Sequence, residues 1–334
     1  SGPYFYLPKL EHYLECRLLN DVISFCEKKL NLELGTVKVT VLIETINAVF
    51  QMHEFLWELK DHIVGLNAGR WDYLFSYQKV YRNTKMVVLP DRSKVNMFVP
   101  FMSNYNKLLV DTCHKRGAFG MGGMSAQVIA KANPKEINEK ALEGVKKDKE
   151  RELRQGNDGA WVAHPSLVQP VKNIFEKNFK GPNQLDKFNN EKINRRDLLD
   201  EPKIDNAITE QGVRENINEG IEYMAFWQIG TGCCVVNYLM ADAATCEVSR
   251  AQLWIWLKYK VKLDDGRIVD EKLIDKLIEE ELKKINIKFS AWRERTGDKS
   301  LDQVSFKNAA KTFKDMITKD NFDNFLTLPL YEKI

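Results

Sequence analysis

The sequence has 334 residues, 44% of them hydrophobic, enough for one large domain and a smaller one. A net charge of +3 implies no polyanionic partner such as nucleic acid, and no apolar run approaches membrane-spanning length. The six cysteines, Cys16, Cys26, Cys113, Cys233, Cys234 and Cys246, show neither a paired framework nor C-x-x-C ligand spacing. They are expected to be small core thiols in a reducing compartment.

A first strand is expected over Phe5 to Leu10, then a helix in which Leu14, Leu18, Val22, Phe25 and Leu30 form an apolar stripe. Gly35 turns the chain into Lys38 to Thr45, rich in β-branched residues and apolar on both faces, as a buried parallel strand should be. Glu44 stands at its end. Ile46, Val49, Phe50, Phe55, Leu56 and Leu59 follow at helical spacing, and a second short strand from Ile63 breaks at Gly69, with Asp72 just beyond. In a βαβ unit successive strands run side by side in one direction, so Glu44 and Asp72 emerge at the same, C-terminal, sheet edge. Two carboxylates there suit a hard cation such as Mg²⁺. Acids at strand ends also cap helices or pair with arginine, and on spacing alone that reading leads.

Beyond Tyr77 a polar, basic connection leads through Val87 to Arg92, a loop stopped by Pro90, and Pro100 opens a helix carrying Tyr105, Leu108, Leu109, Thr112 and Cys113. Gly117 to Gln127 is dense in glycine, which allows close backbone approach or a tight barrel corner. It is not a dinucleotide fingerprint. Residues 133–155 read as a charged, solvated helix, and Gly159 to Pro165 as a short strand whose His164 is structural. The chain then turns polar from Gly181 to Ile204 and is helical beyond, with stripes at Val213, Ile217, Ile221, Met224 and Trp227, at Ile274, Leu277, Ile278, Leu282 and Ile285, and at Phe313, Ile317, Phe322 and Phe325. Between them lies Asn237 to Arg250, where Asp242 with its small neighbours reads as a helix N-cap.

The wording of these segments adds what their spacing does not. Thr40-Val41-Leu42-Ile43-Glu44-Thr45-Ile46 with Gly65-Leu66-Asn67-Ala68-Gly69-Arg70-Trp71-Asp72-Tyr73 closely resembles the A-type malate synthase family, in the citrate-lyase β-subunit superfamily. Pro8-Lys9-Leu10-Glu11, Met121-Gly122-Gly123-Met124-Ser125-Ala126 and Met240-Ala241-Asp242-Ala243-Ala244-Thr245-Cys246-Glu247-Val248-Ser249-Arg250 are similar to further motifs of that family. The resemblance spans essentially the whole chain. It implies the C-terminal portion of a TIM (β/α)₈ barrel over 1–182, a linker over 183–204 and an all-α domain over 205–334. Only about five of the eight strands of a closed barrel are found, so the others are expected upstream of Ser1.

The implied reaction joins the methyl carbon of acetyl-CoA to the aldehyde of glyoxylate and hydrolyses the thioester, giving malate and CoA. By the same resemblance Glu44 and Asp72 hold Mg²⁺, and Gly69, Arg70, Trp71 and Asp72 bind glyoxylate. Met121, Met124, Trp161 and Pro165 border the acetyl-CoA channel, and Asp242 is the general base. A cytoplasmic or peroxisomal, glyoxysomal location is implied as well. Two departures stand out: Ala241 replaces the family's usual Glu, and the family's enolate-stabilising Arg falls on an early strand outside this sequence. Losing one such donor costs about 10²- to 10³-fold in rate, so this stretch is expected to be inactive alone. A malyl-CoA or citramalyl-CoA lyase and a non-catalytic CoA-binding remnant are the rival readings; the Asp242 signature argues against the first.

Overall fold

A computed structural model describes residues 2–199, 207–297 and 302–333. Its contacts divide the chain into two units, Ser1–Ser76 with Met97–Asp200 and Tyr77–Asn96 with Glu201–Ile334.

The first unit alternates strand and helix in the order β1 (Tyr4–Leu7), α1 (Tyr13–Lys29), β2 (Lys38–Ile43), α2 (Ile46–Val49), α3 (Met52–Glu58) and β3 (Ile63–Ala68). Next come α4 (Arg70–Tyr81), whose last turn falls in the second unit, α5 (Pro100–His114), β4 (Phe119–Ser125), α6 (Lys135–Gln155), β5 (Gly159–Val162), α7 (Val168–Asn178) and α8 (Arg195–Leu199). The strands form one five-stranded parallel sheet in the order β1-β2-β3-β4-β5. The sheet is curled: the rings of Tyr6 on β1 and Trp161 on β5, from opposite edges, stand 5.8 Å apart. Alternating β/α order with this curl is the arc of a parallel barrel.

Val39, Val41 and Ile43 of β2 are fully buried, as expected of a central parallel strand. The α1 stripe is different. Leu14, Leu18, Val22, Phe25 and Leu30 are all exposed, and the helix buries Cys16 and Glu27 instead. Glu27 explains this orientation, since it accepts from the Gly35 and Val37 amides and from His62, fixing the turn into β2. The charged helix α6 also departs from expectation, because its second half buries Val145, Lys149, Arg151, Glu152 and Leu153. The polar segment expected as a linker from 183 is tied to this unit: Asn189 donates to Asp111, and Lys187 donates to the Leu153 carbonyl. Residues 200–204 of that segment lie outside the described residues.

The second unit holds α9 (Glu210–Trp227), a hairpin of β6 (Cys234–Val236) and β7 (Leu239–Ala241), α10 (Ala243–Lys258), α11 (Glu271–Thr296) and α12 (Phe306–Thr318). Val213, Ile217, Ile221 and Met224 of α9 are buried, with Ile274, Leu277, Phe313 and Ile317 of the other expected stripes. Residues 77–96, expected inside the barrel domain, pack here. Val87 and Leu89 are buried, the Leu89 carbonyl accepts from the Trp256 indole, and Asp91 accepts from the Thr209 amide and hydroxyl. Arg92 reaches both Ser249 on α10 and Glu219 on α9. Glu247 and Arg250 form a fully buried 2.6 Å ion pair; Glu247 also accepts from the Leu326 amide and Arg250 donates to the Asp323 carbonyl. These motif residues pin the C-terminal segment to α10. All six cysteines are free; Cys26 and Cys233 are exposed, so the small-core expectation holds for the other four.

Candidate active site

In the first unit the site is built where β2 and β3 end. Ile43 is in register with Ala68, so Glu44 and Gly69 leave the sheet side by side. Gly69 is required there: a Cβ would lie 2.6 Å from Glu44 Cβ and 2.8 Å from its Oε2. The turn then enters α4 directly, which puts Asp72 in the first helical turn. Amides at a helix start have no acceptor within the helix and carry the positive end of its dipole, a surface suited to a carboxylate.

Glu44 and Asp72 are both buried, 3% and 8% exposed. Lys9, held at φ 58°, serves both carboxylates: its amide donates to Glu44 Oε1 at 2.6 Å and its ammonium to Asp72 Oδ2 at 2.7 Å. Burial, reinforced by the neighbouring Asp72 charge and only partly offset by Lys9, pushes the Glu44 carboxyl up to about 8. Two crowded, desolvated carboxylates with a single ammonium partner have the donor chemistry of a divalent cation site. Among the described residues no cluster of three or more His, Cys, Asp or Glu could hold a metal. A pair of carboxylates is nonetheless within what Mg²⁺ takes, since it uses one or two and keeps its remaining positions for water and substrate.

Tyr105 on α5 locks the two strand ends together. Its hydroxyl accepts from the Gly69 amide at 2.9 Å and donates to the Ile43 carbonyl, while its ring stacks on Tyr73 at 4.2 Å. Burial holds the phenol well above its ordinary range, so it remains a neutral donor. Sequence reasoning placed Tyr105 on the core stripe and missed this role. The available signal was the hydroxyl itself, since a buried tyrosine on a helix beside a strand end needs a polar partner. Arg70 lies with its guanidinium 3.9 Å from the centre of the Trp71 ring.

The remaining barrel residues lie along β4 and β5. Met121 and Met124 are half-buried on β4, and Met124 pairs with Trp161, also half-buried. Pro165 is exposed and opens a single turn of 3₁₀ helix that His164 caps through the Ser166 amide, the structural role expected of that histidine.

In the second unit Asp242 is the N-cap of α10, its Oδ1 accepting from the Ala244 amide at 3.0 Å and the Thr245 amide at 3.4 Å. It follows a hairpin whose turn residues Asn237 and Tyr238 both have positive φ, and whose Ala241 is buried opposite Cys234. The N-cap reading of the residues alone is thus what the structure has, and a capping carboxylate is held rigidly.

Comparison with known proteins identifies the family. The malate synthase TIM barrel domain matches residues 1–201 and the malate synthase C-terminal domain matches residues 207–334. The chain belongs to the malate synthase family. It is 45% identical over 337 residues to the glyoxysomal malate synthase of Candida tropicalis, covering 100% of this chain and 59% of that protein. It is 43% identical over 335 residues to malate synthase of Myxococcus xanthus, with 100% and 60% covered, and 44% identical over 339 residues to that of Dictyostelium discoideum, with 99% and 60% covered. The chain therefore spans about three-fifths of the length of these curated relatives. The solved Haloferax volcanii malate synthase pyruvate/acetyl-CoA ternary complex shares the fold at TM-score 0.53 and 14% identity, over 76% of this chain and 62% of that one.

Proposed function

We propose that this chain carries the cation site, the glyoxylate site and the general base of a malate synthase, which condenses acetyl-CoA with glyoxylate and releases malate and CoA. The observation that carries the reading is the buried Glu44–Asp72 pair at adjacent parallel strand ends, beside the start of α4. Similarity along the whole of this chain, at 45% and 43% identity, to proteins named malate synthase supports it.

Glu44 and Asp72 would hold Mg²⁺, which when bound polarises the aldehyde oxygen of glyoxylate and neutralises its carboxylate. The amides at the start of α4, beyond the Gly69 amide that Tyr105 takes, and the Arg70 guanidinium orient that carboxylate. Asp242 removes a proton from the thioester methyl, and its cap bonds fix the carboxylate for that transfer; positioned general-base catalysis contributes about 10²- to 10⁴-fold. The resulting carbanion equivalent forms a carbon–carbon bond to the aldehyde carbon as the C=O π bond opens, and the alkoxide so formed takes up a proton, balancing the one Asp242 removed. Water then cleaves the thioester, the hydroxyl joining the acyl carbon and the proton leaving with the CoA thiolate. Met121, Met124, Trp161 and Pro165 offer an apolar wall for the thioester arm. The glyoxysomal names of relatives from Candida tropicalis and Glycine max support a peroxisome-type location, with the cytoplasm as the other. Among the described residues no helix is long and apolar enough to cross a membrane.

The test is release of free thiol from acetyl-CoA plus glyoxylate by the full-length protein in Mg²⁺. Thiol and malate in equal amounts are expected. Accumulation of malyl-CoA without thiol would identify a lyase, and acetyl-CoA binding without either product would identify a non-catalytic CoA binder.

A further inference from the structure

The strand β4 contains an irregularity that the reaction does not explain. Gly122 is opposite Ala160 and Met124 is opposite Trp161, so Gly123 is the extra residue of a β-bulge. A bulge leaves one peptide without its ladder partners, and here two buried side chains of α6 take them up. Glu152 Oε1 accepts from the Gly123 amide at 3.0 Å, and the Lys149 ammonium donates to the Gly123 carbonyl at 2.8 Å. The two side chains also bind each other, Lys149 Nζ lying 2.9 Å from both Glu152 oxygens, and they are 0% and 1% exposed.

Several neighbours are shaped to this clamp. A Cβ on Gly122 would fall 2.0 Å from Glu152 Oε2, so the carboxylate reaches the bulge only across a glycine. The Gly122 carbonyl accepts from the buried Asn67 side chain on β3 at 3.0 Å. On the side of β3, a Cβ on Gly123 would stand 3.0 Å from the carbonyl oxygen of Ala68, the residue before the Gly69 turn. The cluster extends toward that turn by charge as well. Burial opposes ionisation of Asp148, but Lys149, Arg151 and then Arg70 hold its carboxyl below its ordinary range.

The Gly123 N–H and C=O need polar partners, but two neutral side chains could supply them; a buried ion pair is weak evidence for stability, which directs attention to the geometry it enforces. We propose that Lys149 and Glu152 are positioning residues for glyoxylate: by gripping the Gly123 peptide they hold the end of β4 against Ala68, and so set the Gly69–Asp72 turn that receives the substrate carboxylate. The inference rests on the glyoxylate site proposed above and adds two residues that touch neither substrate nor cation.

The test uses the full-length protein with Lys149→Met/Glu152→Gln, which removes both charges together and leaves no lone buried ion, and with Glu152→Gln alone, which keeps an acceptor for the Gly123 amide. Calorimetric titration with glyoxylate in Mg²⁺ reads the site, and amide exchange of peptides covering 119–125 and 38–43 reads the clamp. For the double variant the glyoxylate dissociation constant is expected to rise about tenfold, with faster exchange in 119–125 and none in 38–43; Glu152→Gln alone should lose less. A folded double variant with wild-type glyoxylate affinity overturns the proposal, whether or not 119–125 exchanges faster, because the pair would then be structural only. A wild type that binds glyoxylate without releasing CoA defeats the proposed reaction and leaves this inference standing; one that binds no glyoxylate defeats both.

Discussion

Replacing Glu44 by Gln separates a cation site from a structural acid pair by the sign of its effect. The amide keeps an oxygen for the Lys9 amide and removes the charge that burial and Asp72 oppose. Glu44 is lifted from its usual 4.5 to about 8 in the folded chain. Between those values the folded state binds more protons than the unfolded one, so this group makes stability fall as pH rises through that window. Each unit of displacement is worth about 1.4 kcal/mol, so the penalty reaches about 3 kcal/mol near pH 7 and about 5 kcal/mol above pH 8. Without divalent ions Glu44→Gln should therefore match the wild type near pH 4 and exceed it by these amounts at higher pH. Saturating Mg²⁺ should offset most of this deficit near pH 7, because a ligand at a hundred times its dissociation constant stabilises the wild type by about 2.7 kcal/mol and the variant gains less. Urea unfolding from pH 4 to 9, with and without MgCl₂, measures both effects. A variant less stable than the wild type at every pH, or equally stabilised by Mg²⁺, would refute the reasoning.

Three further outcomes are expected. Asp242→Asn should keep the α10 cap, since Asn caps as well as Asp, and abolish CoA release in the full-length protein; Asp242→Ala should in addition lose about 1 kcal/mol in urea unfolding. Tyr105→Phe should strand the Gly69 amide and the Ile43 carbonyl, costing about 2 kcal/mol and weakening glyoxylate binding in calorimetry, while Tyr105→Leu should cost more by also losing the Tyr73 stack. Gly69→Ala should remove the Mg²⁺-dependent rise in melting temperature, because the added methyl meets Glu44 directly.

The parts of the fold that follow from local pattern were legible. The runs at Lys38 and Ile63 are parallel strands, Glu44 and Asp72 share one sheet edge, and the α9 stripe is core, because burial on both faces or on one helical face leaves a period in the sequence. The failures were cases where tertiary partners override period. The α1 stripe turns outward because Glu27 faces the β2 turn, and α6 buries Lys149 and Glu152 because a bulge needs side-chain partners. The segment 77–96 reads as a loop, yet Leu89 and Asp91 serve as acceptors for residues far along the chain. No periodicity encodes such long-range acceptors, and neither the β6–β7 hairpin nor the Tyr105 lock left a pattern longer than a few residues.

Binding of Mn²⁺, followed by water-proton relaxation with and without glyoxylate, tests the central claim most directly. One tight ion per chain is expected in the full-length protein, its relaxation altered by glyoxylate, with Glu44→Gln and Asp72→Asn each weakening binding at least tenfold. Unchanged affinity in both variants would place the cation elsewhere and contradict the account.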